Sequence, residues 1–335
     1  MISAITGASG FLGLNLIQVL LDAGHEVRAI DRARSTHLDP RVAWCPADIL
    51  DKASLMPAFD GADFVFHLAA KITLLQDDPV AWHLNTEGVR CVAEAARESG
   101  VRRMVHVSSI ASFDQFRWRQ PMVETAPRAT DPTLPIYGRS KYAGECAFLK
   151  VVDQGLDGVI GYPTGVYGPI DYGTPLSRIN AVLLDSARGR VPVMVEGGFD
   201  LVDVRDVAAG LLLAAERGQT GENYMLGGHY IRMIDAFRLS ARLVGRRGPL
   251  FALPLKPLKA VAPMIERMVA RLGVEADFFS QAALTAIETS PRVDHAKAAR
   301  ELGYAPRSLE TSMKDLVAFF VQRGLFAPAD AVDNS

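Results

Sequence analysis

Tyr137-Gly-Arg-Ser-Lys141 sets a phenol and an ammonium four residues apart. If the segment is helical, both lie on one face. A phenol titrates near 10 in water, so it moves protons at neutral pH only when a nearby cation stabilises the phenolate. Lowering it by about three units takes roughly 4 kcal/mol, and Lys141 is the expected source of that field. A Tyr-x-x-x-Lys spacing arises readily by chance, so its place in the chain decides its meaning. It follows Arg103-Met-Val-His-Val-Ser-Ser109, an apolar run that reads as a strand. Ser109, with Ser108 as the alternative, is placed to donate a hydrogen bond to a substrate oxygen at the strand end. Tyr137, Lys141 and Ser109 are therefore the candidate catalytic set, and the chemistry they suit is proton transfer at a carbinol or carbonyl oxygen.

A second pattern supplies the redox partner. Thr6-Gly-Ala-Ser-Gly-Phe-Leu-Gly13 follows one apolar run and opens a helical one, the context of a dinucleotide-binding turn. Gly7 permits the tight turn, Gly10 lets backbone amides approach a pyrophosphate, and Gly13 lets the helix pack on the strand. Ser9, Phe11 and Leu12 complete the turn, and the helix N-terminus favours an anion. Asp31 closes the next strand about twenty residues on, where a carboxylate accepts hydrogen bonds from ribose hydroxyls and favours NAD. Arg32 and Arg34 leave NADP open, because a guanidinium can clamp a 2′-phosphate.

These residues need a scaffold that brings strand ends together. Short β-branched runs alternate with helical patterns through the first half: ISAIT, EVRAID, VAWCPAD, FVFHLAA, RMVHVSS and DGVIGYPTGVYG read as six strands. Alternation of this kind implies parallel βαβ units in a Rossmann-type, doubly wound α/β sheet. Beyond about residue 170 the pattern turns irregular, then returns in DLVDVRDVAAGLLLAAE. The expected division is a cofactor domain over 1–165 plus about 200–226, and a smaller, discontinuous substrate lobe over about 166–199 and 227–330. The apolar stretch from 253 to 283 reads as amphipathic helix interrupted by prolines.

Bulk properties narrow the partners. A chain of 335 residues fits about two domains. Lys plus Arg is 36 against 38 for Asp plus Glu, so nothing advertises nucleic acid, and a small molecule is the expected partner. Cys45, Cys91 and Cys146 have no metal-type spacing; they read as reduced, buried thiols of a cytoplasmic protein, and no metal is expected. No uncharged apolar run reaches membrane-spanning length, although a mean hydropathy of +0.12 leaves peripheral membrane contact open.

Taken together and in order, these motifs resemble the extended short-chain dehydrogenase/reductase family over essentially the whole chain. The matching residues are Thr6 to Gly13, Asp31, Asp48-Ile49, His67-Leu-Ala-Ala70, Asn85-Thr-Glu-Gly88, Ser108-Ser109, Tyr137 to Lys141, Pro163 to Pro169, Asp203 to Val207 and Glu301-Leu-Gly-Tyr304. The resemblance implies that Asp48 and Ile49 lie by the adenine, that Ala69 and Ala70 flank the pyrophosphate and nicotinamide ribose, and that Lys141 also holds ribose hydroxyls. It adds Leu68, Lys71, Asn85, Tyr162, Pro163, Gly165 and Val166 to the cofactor contacts, assigns His67 no catalytic part, and implies a homodimer through the helices bearing Asn85 and Tyr137.

Two departures separate the chain from relatives that act on sugar nucleotides. Gly165 stands where their motif carries an asparagine, and Phe199 stands where an arginine precedes their Asp-Phe-Val segment. Loss of an amide and a guanidinium removes charge-assisted hydrogen bonds of about 1.5–3 kcal/mol each. The chain looks closer to 3β-hydroxysteroid dehydrogenases, dihydroflavonol reductases and hopanoid-associated epimerase-like proteins. The expected activity is therefore reversible hydride transfer between NAD(P) and a secondary alcohol or ketone of a largely apolar, steroid-, flavonoid- or acyl-like substrate. A nucleotide-sugar epimerase or dehydratase with tightly held NAD is the alternative, although Ile110-Ala111 offers a dehydratase no acid–base pair. A non-catalytic dinucleotide sensor is a third reading, but it would not need the phenol.

Overall fold

The computed structural model describes residues 1–118, 120–259 and 281–326. Its strands, in chain order, are β1 (Ile2–Thr6), β2 (Glu26–Asp31), β3 (Ala43–Pro46), β4 (Phe64–His67), β5 (Arg103–Val107), β6 (Gly158–Pro163), β7 (Gly165–Tyr167), β8 (Val193–Val195), β9 (Gly198–Asp203), β10 (Asn223–Leu226), β11 (His229–Arg232) and β12 (Phe251–Leu253). Seven of them form one parallel sheet in the order β10-β6-β5-β4-β1-β2-β3. Parallel strands covered on both faces are apolar at nearly every position, and all four residues of β4 are buried. The strand order reverses between β1 and β4, and ligands of open α/β sheets bind beyond the strand ends at that point.

Side-chain alternation along the strands divides the core into two layers. Ile5, Phe64, Phe66 and Val105 face one cluster with α1 (Phe11–Asp22), whereas Ala4, Val65 and Met104 face another. The second layer takes in α2 (Lys52–Phe59), α4 (Val89–Glu98) and α5 (Ile136–Val152), through Leu55, Val92 and Phe148. A short α3 (Pro79–His83) runs through a π-helical turn, Leu84–Gly88, into α4.

The second apolar centre joins α6 (Arg178–Ala187) and α8 (Met233–Arg242) to β9 through Leu183, Leu201 and Phe237. Two small sheets, β11-β9-β7 and β12-β8, accompany it. Between the two centres, α7 (Val204–Arg217) packs Val207 and Leu211 into the main sheet's core. The helices α9 (Gln281–Thr289), α10 (Ala296–Leu302) and α11 (Leu309–Gln322) follow.

Four differences from the sequence reading have local causes. The sixth strand breaks after Pro163: β6 stays in the large sheet, and β7 joins β9. The seventh strand, Asn223–Leu226, is only four residues long, too short for an alternation signal. β9 belongs to the small sheet, so the Asp200 segment returns to the main core through Val202 of β9 and through α7 and not as a strand of the large sheet. Ala298, Leu302 and Tyr304, expected in the substrate lobe, bury themselves in the main core beside α7. Of the expected apolar helix from 253 to 283, residues 260–280 lie outside the described residues.

Candidate active site

At the end of β1, Gly7 adopts φ 75°, and a Cβ there would stand 2.8 Å from the Ala69 nitrogen. Only glycine accepts that backbone without strain, so the ends of β1 and β4 can close on one another. A Cβ on Gly13 would stand 2.4 Å from the Gly7 carbonyl oxygen, which explains how α1 comes down onto the turn. Gly10 is the N-cap of α1 and supplies no side-chain cap. The first-turn amides, including those of Phe11 and Leu12, are therefore left for an anion.

The Asp31 carboxylate accepts hydrogen bonds from the backbone amides of Ser9 (3.2 Å) and Arg32 (2.8 Å). Ser9 Oγ donates to the Ala33 carbonyl and accepts from the Ser35 amide, fastening the loop after β2. A cleft of about 260 Å³ runs over this region. Gly7, Gly10, Asp31, Arg32, Asp48, Ile49, Leu68, Ala69 and Ala70 line it, together with Ile30, Ala47 and Leu84, which the sequence reading did not single out. A bare-backbone cradle, an uncapped helix and a carboxylate at the strand end together fit a dinucleotide: amides for the pyrophosphate, Asp31 for the ribose.

Tyr137 opens α5, and Ser109 follows the end of β5. Burial pushes the phenol up from its ordinary value, against the pull of the Ser109 hydroxyl hydrogen-bonded to it and of the Arg178 guanidinium. Ser109 Oγ also accepts from the Ala111 amide at 3.2 Å, capping the short turn Ile110–Ser112. Ser108 is differently occupied: its hydroxyl donates to Glu145 inside the protein. Of the two serines, the structure brings Ser109 to the phenol.

Lys141 departs from expectation. Its ammonium is buried and donates to the Val107 carbonyl at 2.8 Å, and burial lowers it to about 7. The charge of Arg178, exposed at the start of α6, pulls weakly on the phenol. The lysine's charge is therefore discouraged. The phenol is a proton donor in this state.

Several expected cofactor contacts have other occupations. Asn85 is buried, with its amide exchanging hydrogen bonds with the main chain of Lys71 (2.9 and 3.0 Å) and donating to Ser140 Oγ. It fixes the strand exit; it does not present a free amide. The Lys71 ammonium pairs with Asp78 at 3.0 Å. Tyr162 is buried with its hydroxyl donated to Glu145 at 2.8 Å, which turns it away from the cleft. Pro163 ends β6, and Val166 packs against the main core. His67 is buried against Thr6 Oγ1 at 2.6 Å, and burial lowers it to about 3, so it stays neutral.

The two departures from the sugar-nucleotide pattern are built into the packing. A Cβ on Gly165 would stand 2.8 Å from the Asp200 carbonyl oxygen, 3.0 Å from Leu201 Cδ2 and 3.1 Å from Ile179 Cδ1. No asparagine fits there without backbone movement. Phe199 packs between two apolar clusters.

Sequence reasoning missed Glu145, Arg128 and Arg178. Glu145 carried a usable signal, since Tyr137, Lys141 and Glu145 recur every four residues on one face of α5. The arginines carried none. Among the described residues there is no group of three metal-ligating side chains and no helix long and apolar enough to cross a membrane. The three cysteines are free thiols, half-buried where full burial was expected.

Comparison with known proteins extends the geometry. The model of the NAD dependent epimerase/dehydratase family matches residues 3–227. Sterol demethylase protein B of Methylococcus capsulatus is 31% identical over 340 residues, spanning 97% of this chain and 100% of that protein. The 3 beta-hydroxysteroid dehydrogenase/Delta 5-->4-isomerase of Mycobacterium tuberculosis is 29% identical, spanning 90% of this chain and 85% of that one. The crystal structure of gox2253 superposes with a TM-score of 0.81 at 33% identity, covering 96% of this chain and 98% of that one.

Proposed function

Because the chain belongs to the NAD-dependent epimerase/dehydratase family and is an enzyme of the extended short-chain dehydrogenase type, we propose that it transfers a hydride between a nicotinamide dinucleotide and a secondary alcohol or ketone on a largely apolar substrate. The observation that carries this reading is the half-buried Tyr137 phenol at the start of α5, with the pull of the Ser109 hydroxyl from the end of β5 on it. The bound dinucleotide supplies or accepts the hydride. Ser109 orients the substrate oxygen, and the protonated phenol gives it a proton as the ketone is reduced. In the reverse direction the phenol must fall, which calls for added positive charge beside it.

Asp31, already organised by two amides, supports NAD over NADP. The closed space at Gly165 and the apolar seat of Phe199 support an apolar substrate over a sugar nucleotide. The relatives named for sterol and steroid chemistry agree with that choice. A screen of sterols, flavonoid-type ketones, β-hydroxyacyl compounds and sugar nucleotides, followed at the nicotinamide absorbance with both dinucleotides, tests it. Net NADH oxidation by apolar ketones is expected. Sugar-nucleotide turnover with NAD retained through purification and no net change in dinucleotide would overturn it.

A further inference from the structure

We propose that Glu145 is a positioning residue: gripped by Arg128, it holds Ser108 and so fixes the neighbouring Ser109 hydroxyl against the Tyr137 phenol. The inference rests on the proton-transfer roles given to Tyr137 and Ser109.

Glu145 lies one helical turn beyond Lys141 and is 2% exposed. A carboxylate so deeply buried is costly unless its oxygens are bound. Oε1 accepts from Ser108 Oγ, whereas Oε2 accepts from Tyr162 Oη at 2.8 Å and pairs with the Arg128 guanidinium. That guanidinium lies 3.9 Å from the Phe113 ring centroid and 4.8 Å from that of Tyr142. It also donates to Ser112 Oγ at 3.2 Å.

The consequence is local. Ser108 and Ser112, both held by this network, bracket the turn that presents Ser109. Ser108 is further fixed through its amide, which donates to the Gly161 carbonyl (2.9 Å), and the Ala129 amide donates to the Ser112 carbonyl (2.9 Å). From the helix side, Gly138 lets α5 lie directly on the Ala111 carbonyl, where a Cβ would stand 2.3 Å away. Charge-assisted hydrogen bonds are short and directional, which suits them to hold a hydroxyl whose placement sets a rate. A pair serving stability alone would act equally with and without Ser109.

The test is a double-mutant cycle of Glu145→Gln and Ser109→Ala in the full chain. Ketone reduction and the NADH dissociation constant, from nicotinamide fluorescence, are both measured. Glu145→Gln should lower kcat by roughly tenfold to a hundredfold with the dissociation constant unchanged within about twofold. In the Ser109→Ala background it should cost less than about a further twofold. The same fold-loss in both backgrounds, or an unchanged kcat, overturns the proposal. If Glu145→Gln does not fold, Ser108→Ala cuts the same link and should couple to Ser109→Ala in the same way. If the wild-type chain turns over no substrate, it is the activity reading that fails. The link is then read in the resting protein: the phenol titration assigned by Tyr137→Phe should move upward in Glu145→Gln as it does in Ser109→Ala, and an unmoved titration contradicts it.

Discussion

Burial has opposite effects on the two residues of the Tyr-x-x-x-Lys pair, raising the phenol and lowering the ammonium. For Lys141 the folded value is about 7 against an ordinary 10.5. Between those values the unfolded chain binds a proton that the folded chain does not, so stability rises with pH across that window. Lys141→Met has no such group. The stability of wild type relative to this variant should therefore increase by about 2 kcal/mol from pH 7 to pH 9, measured by urea unfolding at both values; a flat difference contradicts the buried ammonium. The candidates Tyr137, Lys141 and Ser109 could be named from spacing and from their place after a strand. The field on the phenol was not legible, because the Val107 carbonyl captures the ammonium, and the charge of Arg178, 41 residues further along, pulls on the phenol instead.

The elements position the site by close backbone approach, and glycine is what allows it. A Cβ on Gly144 would stand 2.1 Å from the Asn85 carbonyl oxygen, so α5 rests on the π-helical turn that carries Asn85. Gly144→Ala must separate the two. It should destabilise the chain by about 1–3 kcal/mol and lower turnover, read by thermal unfolding and by ketone reduction; an unchanged melting temperature would mean that the contact relaxes freely. The alternation of strands and helices was readable because β-branched runs and helical periods differ strongly along the first half. The break at Thr164 was not, since the residues on both sides favour strand and only the pairing of β7 with β9 separates them. The short β10 likewise depends on β6 as its template.

At the scale of the molecule, the main-sheet core and the apolar centre of α6, α8 and α11 are joined by ion pairs. Arg205, at the start of α7, pairs with Asp203 (2.7 Å) and with Asp315 of α11 (2.8 Å), and Arg307 pairs with Asp206 (2.8 Å). The Asp203 side chain is fully buried, so removal of the Arg205 guanidinium leaves its carboxylate with only the residue-205 backbone amide and Arg307, 3.9 Å away, for compensation. Arg205→Met should cost about 3 kcal/mol in denaturant unfolding, and a neutral effect would show that α11 is held by its apolar contacts alone. This joint was only half legible: the Asp-Val-Arg-Asp-Val segment marked the return to the core, but its partner on α11 lies more than a hundred residues on. In the proposed reaction one phenol, that of Tyr137, passes the proton. Tyr137→Phe removes that hydroxyl and little else. Ketone reduction by this variant, measured beside its NADH dissociation constant, should show cofactor binding unchanged within about twofold and kcat lower by at least about a hundredfold; turnover close to that of wild type would contradict the account.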